Sequence, residues 1–228
     1  MAVDLLSRIL YRDGLIIILD KPAGLPVHQG PSGGPSLEDD FAQLRFGLPR
    51  LPALAHRLDA DTSGCLVLGR HPKALRRLGK IFREGRAEKT YLALTCGVPE
   101  QEQGRIDAPL FKQTRPHKGW RMTVDASGKP ALTAYRVLAA RGDVALLVLH
   151  PRTGRTHQIR VHLAHIGCPI LGDTKYGAGA SDAGARLHLH AARIRLPLYA
   201  KRAPVDVQAP LPPHFVSTLR QVGLPDPS

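Results

Sequence analysis

The chain has 228 residues, of which 43% are hydrophobic, so it is long enough for one substantial core and too short for several large domains. Lysine and arginine number 32 against 19 aspartates and glutamates, which gives a formal net charge of +13 and a sequence pI of about 10.2. This excess of positive charge favours nucleic acid as the partner, with a merely basic soluble protein or a binder of anionic membranes as the alternatives.

The cysteines and the N-terminal residues argue against secretion. Cys65, Cys96 and Cys168 are odd in number and far apart, so they predict neither a disulfide framework nor a zinc site and are expected to fill core space. Residues 1–11 contain an acid and a base among their apolar residues, and no run approaches the length needed to span a membrane. We therefore expect a cytoplasmic protein with no membrane partner.

The first elements follow from local sequence patterns. Residues 15–19 are a continuous aliphatic run that enters a turn at residues 20–24, which predicts a buried strand. Ser36 followed three residues later by Asp39 is a capping-box pattern, and it predicts a helix that continues to about Phe46. The apolar face of that helix would carry Leu37, Phe41 and Leu44.

The middle of the chain predicts a helix followed by several strands. The helix would run from Pro72 to Gly85, and its largely basic surface suits either solvent or RNA phosphates. Strands are predicted at residues 90–95, 131–138 and 144–149, and a mobile loop at the Gly/Ala-rich residues 177–184. A mixed sheet with helices packed on it accounts for this order.

Residues 56–64 form the first dense polar cluster. Two carboxylates, Asp59 and Asp61, stand beside two hydroxyls, a guanidinium and an imidazole, directly before an apolar run. This composition is typical of an active site. It is equally typical of a polar turn that caps the next strand, with Asp and Ser side chains bonded to their own backbone. The residue types alone leave both interpretations open.

A second polar cluster spans residues 150–160 and continues into a predicted helix, which Thr156 would cap and Gly167 would close. Arg160 lies close to the apolar stripe of this helix and would point partly inward, where a buried arginine needs an anion. The histidines of this segment lack the His-x-x-x-His spacing of paired metal ligands, and no Gly-x-x-x-x-Gly-Lys-Ser/Thr loop is present. We therefore expect neither a metal nor a nucleotide cofactor.

Taken together, these segments resemble the RluA family of RNA pseudouridine synthases. The hallmark of that family is a His-Arg-Leu-Asp-x-x-Thr-Ser-Gly segment, which residues 56–64 match. The likeness continues in the family's order through four further segments, and so covers most of the chain: residues 20–28, 89–94, 153–167 and 172–177. Several long matches in the same order are not explained by chance, and the basic charge agrees independently.

The resemblance implies three residues in catalysis. Asp59 would be the catalytic aspartate, Tyr91 would pack against the target base, and Arg160 would pair with Asp59 to keep it ionised. Without the family pattern, Tyr91 would be taken for a core tyrosine and Arg160 for a surface phosphate contact. Other residues would contact the RNA or wall the pocket, namely His56, Arg57, Thr62, Arg155, His157, Gln158 and Leu189.

The reaction implied is the isomerisation of uridine to pseudouridine in structured RNA. The target base would first be flipped out of its helix, since its ring cannot be turned while stacked and paired. The bond from ribose to N1 then breaks and the ring rejoins through C5, which requires no metal or redox cofactor. Asp59 would act either as a nucleophile at the sugar or by assisting proton removal and charge stabilisation, and both routes stay open.

The same resemblance implies an α+β fold, with one catalytic domain over residues 1–228 and a core at about 10–222. A mixed, mainly antiparallel sheet with flanking helices would surround a central RNA-binding cleft. The family pattern starts close to residue 1, so we expect a short form without an N-terminal RNA-binding domain, similar to members that modify tRNA, 23S rRNA or both. We also expect a monomer, since no coiled-coil segment is present.

The sequence departs from the family pattern at two places, and two rival functions are compatible with its charge. Ala60 stands where relatives often carry a basic residue, and Gly69-Arg70 replaces a frequent Ala-Lys. The main rival is a non-catalytic RNA-binding or chaperone protein on the same fold, and the second is another nucleic-acid enzyme such as a glycosylase or nuclease. An intact set of Asp59, Tyr91 and Arg160 argues against the first rival.

Overall fold

The computed structural model describes residues 3–30, 33–115, 119–177 and 186–227, and over them the chain is an α+β protein, as the sequence predicts. Its strands are β1 (Ile9–Arg12), β2 (Ile16–Lys21), β3 (Ala53–Leu54), β4 (Ser63–Gly69), β5 (Glu88–Cys96), β6 (Gln103–Asp107), β7 (Leu110–Arg115), β8 (Gly119–Val124), β9 (Leu132–Arg141), β10 (Val144–Pro151), β11 (Leu189–Leu196) and β12 (Val205–Gln208). Its helices are a 3₁₀-helix (Leu37–Leu44), α1 (Pro72–Arg83), α2 (Gln158–His165) and α3 (Pro213–Val222). The chain divides into two compact units, residues 1–89 with 191–211 and residues 90–190 with 212–228.

The first unit is built on the antiparallel pairing of β2 with β1 and with β4. The β2–β4 register runs from Ile16 opposite Gly69 to Lys21 opposite Gly64. The four aliphatic residues at the start of β2 are completely buried, which confirms the strand predicted at residues 15–19. Because β4 begins at Ser63, this register sets the polar segment 56–62 beside the turn that follows β2.

The helix α1 packs on this sheet through Leu78 and Ile81, which confirms the predicted helix, and Gly85 ends it with a φ of +67°. The packing also accounts for Gly69, one of the departures from the family pattern. A Cβ at position 69 would lie 2.6 Å from Cδ2 of Leu75 and 3.2 Å from its main-chain N, so a larger residue would require the Leu75 side chain to move. Its neighbour Arg70 donates a hydrogen bond of 2.6 Å to the carbonyl of Asp13.

The predicted capping box at Ser36 is present. The Ser36 N–H donates to Asp39 Oδ2 at 2.8 Å, and the helix that follows buries its predicted apolar face. The element is a 3₁₀-helix, two residues shorter than the prediction. Phe46 and Gly47 follow with φ values of +46° and +76°, a left-handed conformation that a helix cannot continue through.

The second unit contains an antiparallel sheet in which β10 lies between β5 and β9, and β9 also pairs with β6. Strands β5, β9 and β10 confirm the three predicted strands in this region. The helix α2 contributes Ile159 and Leu163 to the core formed with Leu147 and Leu149 of β10. A separate hairpin pairs β7 with β8, from Leu110 opposite Val124 to Arg115 opposite Gly119.

Two predictions are wrong, for the cap of α2 and for Cys96, and a third concerns residues that lie mostly outside the described part of the chain. The cap predicted at Thr156 is wrong, because the N-cap residue of α2 is His157, whose φ is +54°, while Gly167 ends the helix as predicted with a φ of +77°. Cys65 and Cys168 are buried, whereas Cys96 is exposed and fills no core space. The loop predicted at residues 177–184 lies, apart from Gly177, outside the described residues.

No helix in the described part of the chain is both long and apolar enough to cross a membrane.

Candidate active site

The segment that carries Asp59 is a short turn held through its main chain. The Thr62 N–H donates to the Asp59 carbonyl at 3.1 Å, and the Gly24 N–H donates to the Ala60 carbonyl at 3.0 Å. Thr62 itself is buried, and the Asp59 side chain is partly buried. The turn interpretation and the active-site interpretation of residues 56–64 are therefore compatible, since a fixed turn can present a carboxylate.

Lys21 is the residue that fixes this turn from beneath. Its side chain is completely buried, and its Nζ donates three hydrogen bonds to main-chain carbonyls: Pro22 at 2.7 Å, Ala60 at 2.7 Å and Thr62 at 2.9 Å. Three acceptors match the three donors of an ammonium group. Lys21 thus clamps the main chain on both sides of Asp61 and directly after Asp59.

The same burial governs the charge of Lys21. Burial lowers the pKa of its ammonium group to about 7, although the nearby carboxylates of Asp61, Asp59 and Asp20 favour the charged form. Lys21 lies in one of the segments that resemble the family, but no role was predicted for it. The signal was present, because a lysine that ends a completely buried aliphatic strand must find its partners inside the protein.

His56 and Arg57 differ in their surroundings, although both were predicted to contact RNA. The Val67 N–H donates to His56 Nε2 at 3.0 Å, and the imidazole packs on Phe82 with ring centroids 4.8 Å apart. Burial, with a further contribution from the charge of Lys89, lowers the pKa of His56 to about 4, so the ring is neutral. Arg57 is exposed. The RNA contacts of both residues stay predictions.

In the second unit, Arg160 finds the anion that its inward position requires. Its Nε and Nη2 donate to the two carboxylate oxygens of Asp173 at 2.8 and 2.7 Å, and both side chains are almost completely buried. Oδ1 of Asp173 also accepts from the N–H groups of Lys175 and Tyr176, each at 3.0 Å. Burial alone would raise the pKa of Asp173, but the bonds and charge of Arg160 outweigh it and lower the pKa.

Gln158 organises the segment before α2. Its Oε1 accepts from Thr153 Oγ1 at 2.7 Å and from the Arg155 N–H at 3.0 Å, while its Nε2 donates to the Leu132 carbonyl at 3.1 Å and to Thr133 Oγ1 at 3.0 Å. These four bonds use the whole capacity of the amide, so the predicted RNA contact of Gln158 would require one of them to be released. Arg155 is exposed and donates from Nε to the Pro130 carbonyl at 3.0 Å.

Tyr91 and Leu189 lie in one apolar cluster, as a tyrosine and an aliphatic wall of a common pocket would. Tyr91 is partly buried on β5, opposite Leu149 of β10. It packs against the core cluster that contains Leu149 and Leu189, the latter only 3% exposed. Within the second unit, Tyr91 therefore packs on the cluster that contains Leu189, Gln158 binds the main chain of Arg155, and His157 and Arg160 both contact the Tyr176 side chain. The substrate contacts of these residues stay predictions.

Comparison with known proteins points to one family. The family model described as RNA pseudouridylate synthase matches residues 15–165. An uncharacterized RNA pseudouridine synthase of Zymomonas mobilis is 45% identical over 212 residues, which cover 92% of this chain and 96% of that protein. The ribosomal large subunit pseudouridine synthase C of Vibrio cholerae is 37% identical over 94% of this chain and 69% of its own length.

Solved structures agree with these relatives. The human RNA pseudouridylate synthase domain containing 4 protein superposes with a TM-score of 0.83 at 30% identity, covering 98% of this chain and 96% of its own. A second human protein, RNA pseudouridylate synthase domain containing 1, superposes with a TM-score of 0.76 at 30% identity, with 96% of each chain covered. The sequence motifs, the fold and the neighbours are mutually consistent.

Proposed function

Since this chain belongs to the RNA pseudouridylate synthase family and is an RNA pseudouridine synthase, an isomerase, we propose that Asp59 is its catalytic carboxylate. One observation carries this proposal. The main chain next to Asp59 is clamped by two hydrogen bonds from the buried ammonium of Lys21, to the carbonyls of Ala60 and Thr62, while the third bond ties the ammonium to the carbonyl of Pro22. A carboxylate on a fixed turn needs little reorganisation before it reacts.

Asp59 acts on a uridine that has been flipped out of its RNA helix. It either attacks the ribose as a nucleophile while the bond to N1 breaks, or assists proton removal and stabilises the positive charge that develops on the sugar. In both routes the uracil rejoins the ribose through C5, and the hydrogen carried by C5 is released to water. The overall reaction gains and loses no heavy atoms.

Tyr91 and Arg160 have supporting roles in this proposal. Tyr91, at the edge of an apolar cluster, offers an aromatic face that replaces the stacking lost by the flipped base. Arg160 supplies positive charge, and its bidentate pair with Asp173 fixes the plane of the guanidinium before the substrate arrives. The pairing of Arg160 with Asp59 stays a prediction from the family resemblance.

The RNA substrates proposed are tRNA, 23S ribosomal RNA or both. The name of the Vibrio cholerae relative specifies the large ribosomal subunit, which supports ribosomal RNA. The net charge of +13 supports binding through phosphates, without selecting one RNA. A cytoplasmic location and a monomeric state are part of the same proposal.

The direct test is tritium release from tRNA and ribosomal RNA labelled at uracil C5. We expect the wild-type protein to release tritium and Asp59→Asn to lose at least ~10³-fold in rate while it still binds RNA, because the amide keeps the size and loses the charge. Asp61→Asn is the matched control, since it removes a carboxylate two residues away and should retain turnover.

Two results would overturn this assignment. Loss of turnover in Asp61→Asn with retention in Asp59→Asn would move the catalytic role to Asp61. RNA binding by wild-type protein without tritium release from any cellular RNA would favour the rival function, a non-catalytic RNA-binding protein on the same fold.

A further inference from the structure

We propose that Trp120 is a platform on which an unpaired nucleotide of the RNA substrate stacks, with Lys112 and Lys175 binding the adjacent phosphates. This inference rests on the proposed function in one respect, which is that the substrate is RNA. None of these three residues has a role in the predicted catalytic site.

Trp120 lies on the β7–β8 hairpin of the second unit, where it is opposite Thr114 and 36% exposed. It is the single tryptophan of the chain. Residues 110–124 contain four lysines and arginines and no aspartate or glutamate, so the hairpin sequence has only positive charge. A large exposed aromatic ring in a basic segment is the composition that single-stranded nucleic acid binds.

Two ammonium groups lie at this ring. Lys175 Nζ is 3.9 Å and Lys112 Nζ is 4.9 Å from the centroid of Trp120. The negative face of an indole attracts such cations. A nucleotide matches both parts of the arrangement once the flexible lysine side chains leave the ring, because its base can then stack on the indole while its phosphates bind the two ammonium groups.

The ring is supported on a rigid base. The His157 imidazole stacks with Trp120 at 5.1 Å between centroids and 29° between planes, and its Nδ1 lies 2.7 Å from the hydroxyl of Tyr176. The Tyr176 hydroxyl accepts from the N–H of Met122 at 3.1 Å, and Met122 lies two residues after Trp120 on β8. His157 holds this position with a φ of +54°, a conformation that residues other than glycine seldom adopt and that is concentrated at functional sites.

Phe111 gives a matched comparison on the same hairpin. It is 44% exposed, so exposure alone does not distinguish it from Trp120. It neighbours Lys112 along β7 and therefore points to the other face of the hairpin. In the described part of the chain no lysine or arginine lies over the Phe111 ring, as two do at Trp120. The proposal therefore predicts that Trp120 binds RNA and Phe111 does not.

The test uses the fluorescence of Trp120, which needs no label because the chain has no other tryptophan. The full-length protein is titrated with a short oligouridylate and with bulk tRNA. We expect both RNAs to quench the emission of the wild-type protein. The Trp120→Ala variant lacks the fluorophore, so its affinity is measured by filter binding, and we expect it to be roughly 5- to 100-fold weaker. Trp120→Phe should restore part of the affinity, and Phe111→Ala should change it less than about twofold.

The lysines are tested by salt dependence. Lys112→Ala combined with Lys175→Ala keeps the fluorescent ring, and should reduce the slope of log affinity against log salt by about 1.5, the value for two phosphates. Unchanged emission on saturation with RNA would overturn the proposal, and so would equal affinity of Trp120→Ala and wild type.

Failure of the proposed function gives a different pattern. Quenching and a Trp120-dependent affinity without any tritium release would leave the platform established and remove the assigned catalysis. Normal tritium release by Trp120→Ala, with an unchanged KM for RNA and no quenching in the wild type, would remove the platform and leave the catalysis intact.

Discussion

The turn beside Asp59 and the segment around Arg160 are both buried polar regions, but they are held by different kinds of partner. In the first unit, the Lys21 ammonium binds three main-chain carbonyls. In the second unit, the Asp173 carboxylate binds a side chain, the guanidinium of Arg160, through both of its oxygens. A carbonyl is present whatever residue stands at a position, whereas a guanidinium is supplied only by arginine.

This difference accounts for one departure from the family pattern. Ala60 replaces a residue that is often basic, yet the Lys21 clamp is intact because Lys21 binds the carbonyl of residue 60 and not its side chain. The Arg160–Asp173 pair has no such tolerance, since either substitution removes a bidentate ion pair from a buried charged group. Substitutions in the two regions should therefore differ in their effects on stability and activity.

The largest effect is expected for Asp173→Asn. The substitution leaves the Arg160 guanidinium buried without its carboxylate, which should lower the free energy of unfolding by about 3–5 kcal/mol. Urea denaturation measures this change.

Asp206→Asn is the matched control for that substitution. Asp206 makes the same bidentate contact with Arg193, at 2.7 and 2.5 Å, but in an exposed position, so we expect a loss of about 1 kcal/mol or less. If the two variants lose the same free energy of unfolding, burial does not make the Arg160–Asp173 ion pair more important for stability than the exposed Arg193–Asp206 pair.

A somewhat smaller loss is expected for Lys21→Met, about 2–4 kcal/mol. The buried carbonyls of Pro22, Ala60 and Thr62 lose a donor, but a buried charge is also removed. If the clamp positions Asp59, kcat for tritium release should fall while KM for RNA changes little.

Lys80→Met removes an exposed lysine of α1, paired with Glu84 at 3.8 Å, and serves as the control with almost no expected change in stability. A Lys21→Met enzyme that loses stability but keeps its kcat would make Lys21 a structural residue without influence on the reaction.

The smallest effect concerns acid stability, where the two units again differ. His56 Nε2 accepts from a main-chain N–H and cannot do so once protonated, whereas His162 faces the Thr133 hydroxyl at 2.9 Å and the Ala108 carbonyl at 3.0 Å. The pKa of His56 is about 4 in the folded protein against an ordinary 6.5, so the unfolded chain binds the proton first as pH falls.

The stability that His56 contributes is therefore present above pH 6.5 and is lost as pH falls toward 4. We expect the free energy of unfolding of wild type to fall by about 2–3 kcal/mol more than that of His56→Gln over this interval. Thermal or urea unfolding from pH 7 to pH 4 measures the difference. Parallel pH profiles for the two proteins would show that His56 does not carry the acid sensitivity.

Most of the fold could be predicted because it depends on patterns that are local in the sequence. The aliphatic run before Lys21 predicts a buried strand, and the Ser36–Asp39 pair predicts a helix start, both of which the structure confirms. The cap at Thr156 was predicted wrongly by the same local logic. Gln158, the first residue of α2, instead fixes the segment before the helix by accepting from the Arg155 N–H, a bond that depends on the position of its side chain against β9.

The site could be predicted only in part, since motif matching names residues without their contacts. The need of Arg160 for an anion follows from its inward position, but the identity of that anion, Asp173, depends on how the chain returns after α2. The role of Lys21 depends on carbonyls about 40 residues further along the chain, which carry no sequence signal. Trp120 was missed because a lone tryptophan in a hairpin has no distinguishing pattern.

The exposed position of Cys96 gives the second unit a natural attachment point for a chemical label. Burial raises the pKa of Cys65 to about 12 and also raises that of Cys168, so neither forms a thiolate readily at neutral pH. A maleimide or iodoacetamide dye should therefore attach at the end of β5 without any engineered cysteine. With Trp120 as the energy donor, the unmodified sequence contains both ends of a spectroscopic ruler that can follow the β7–β8 hairpin when RNA binds.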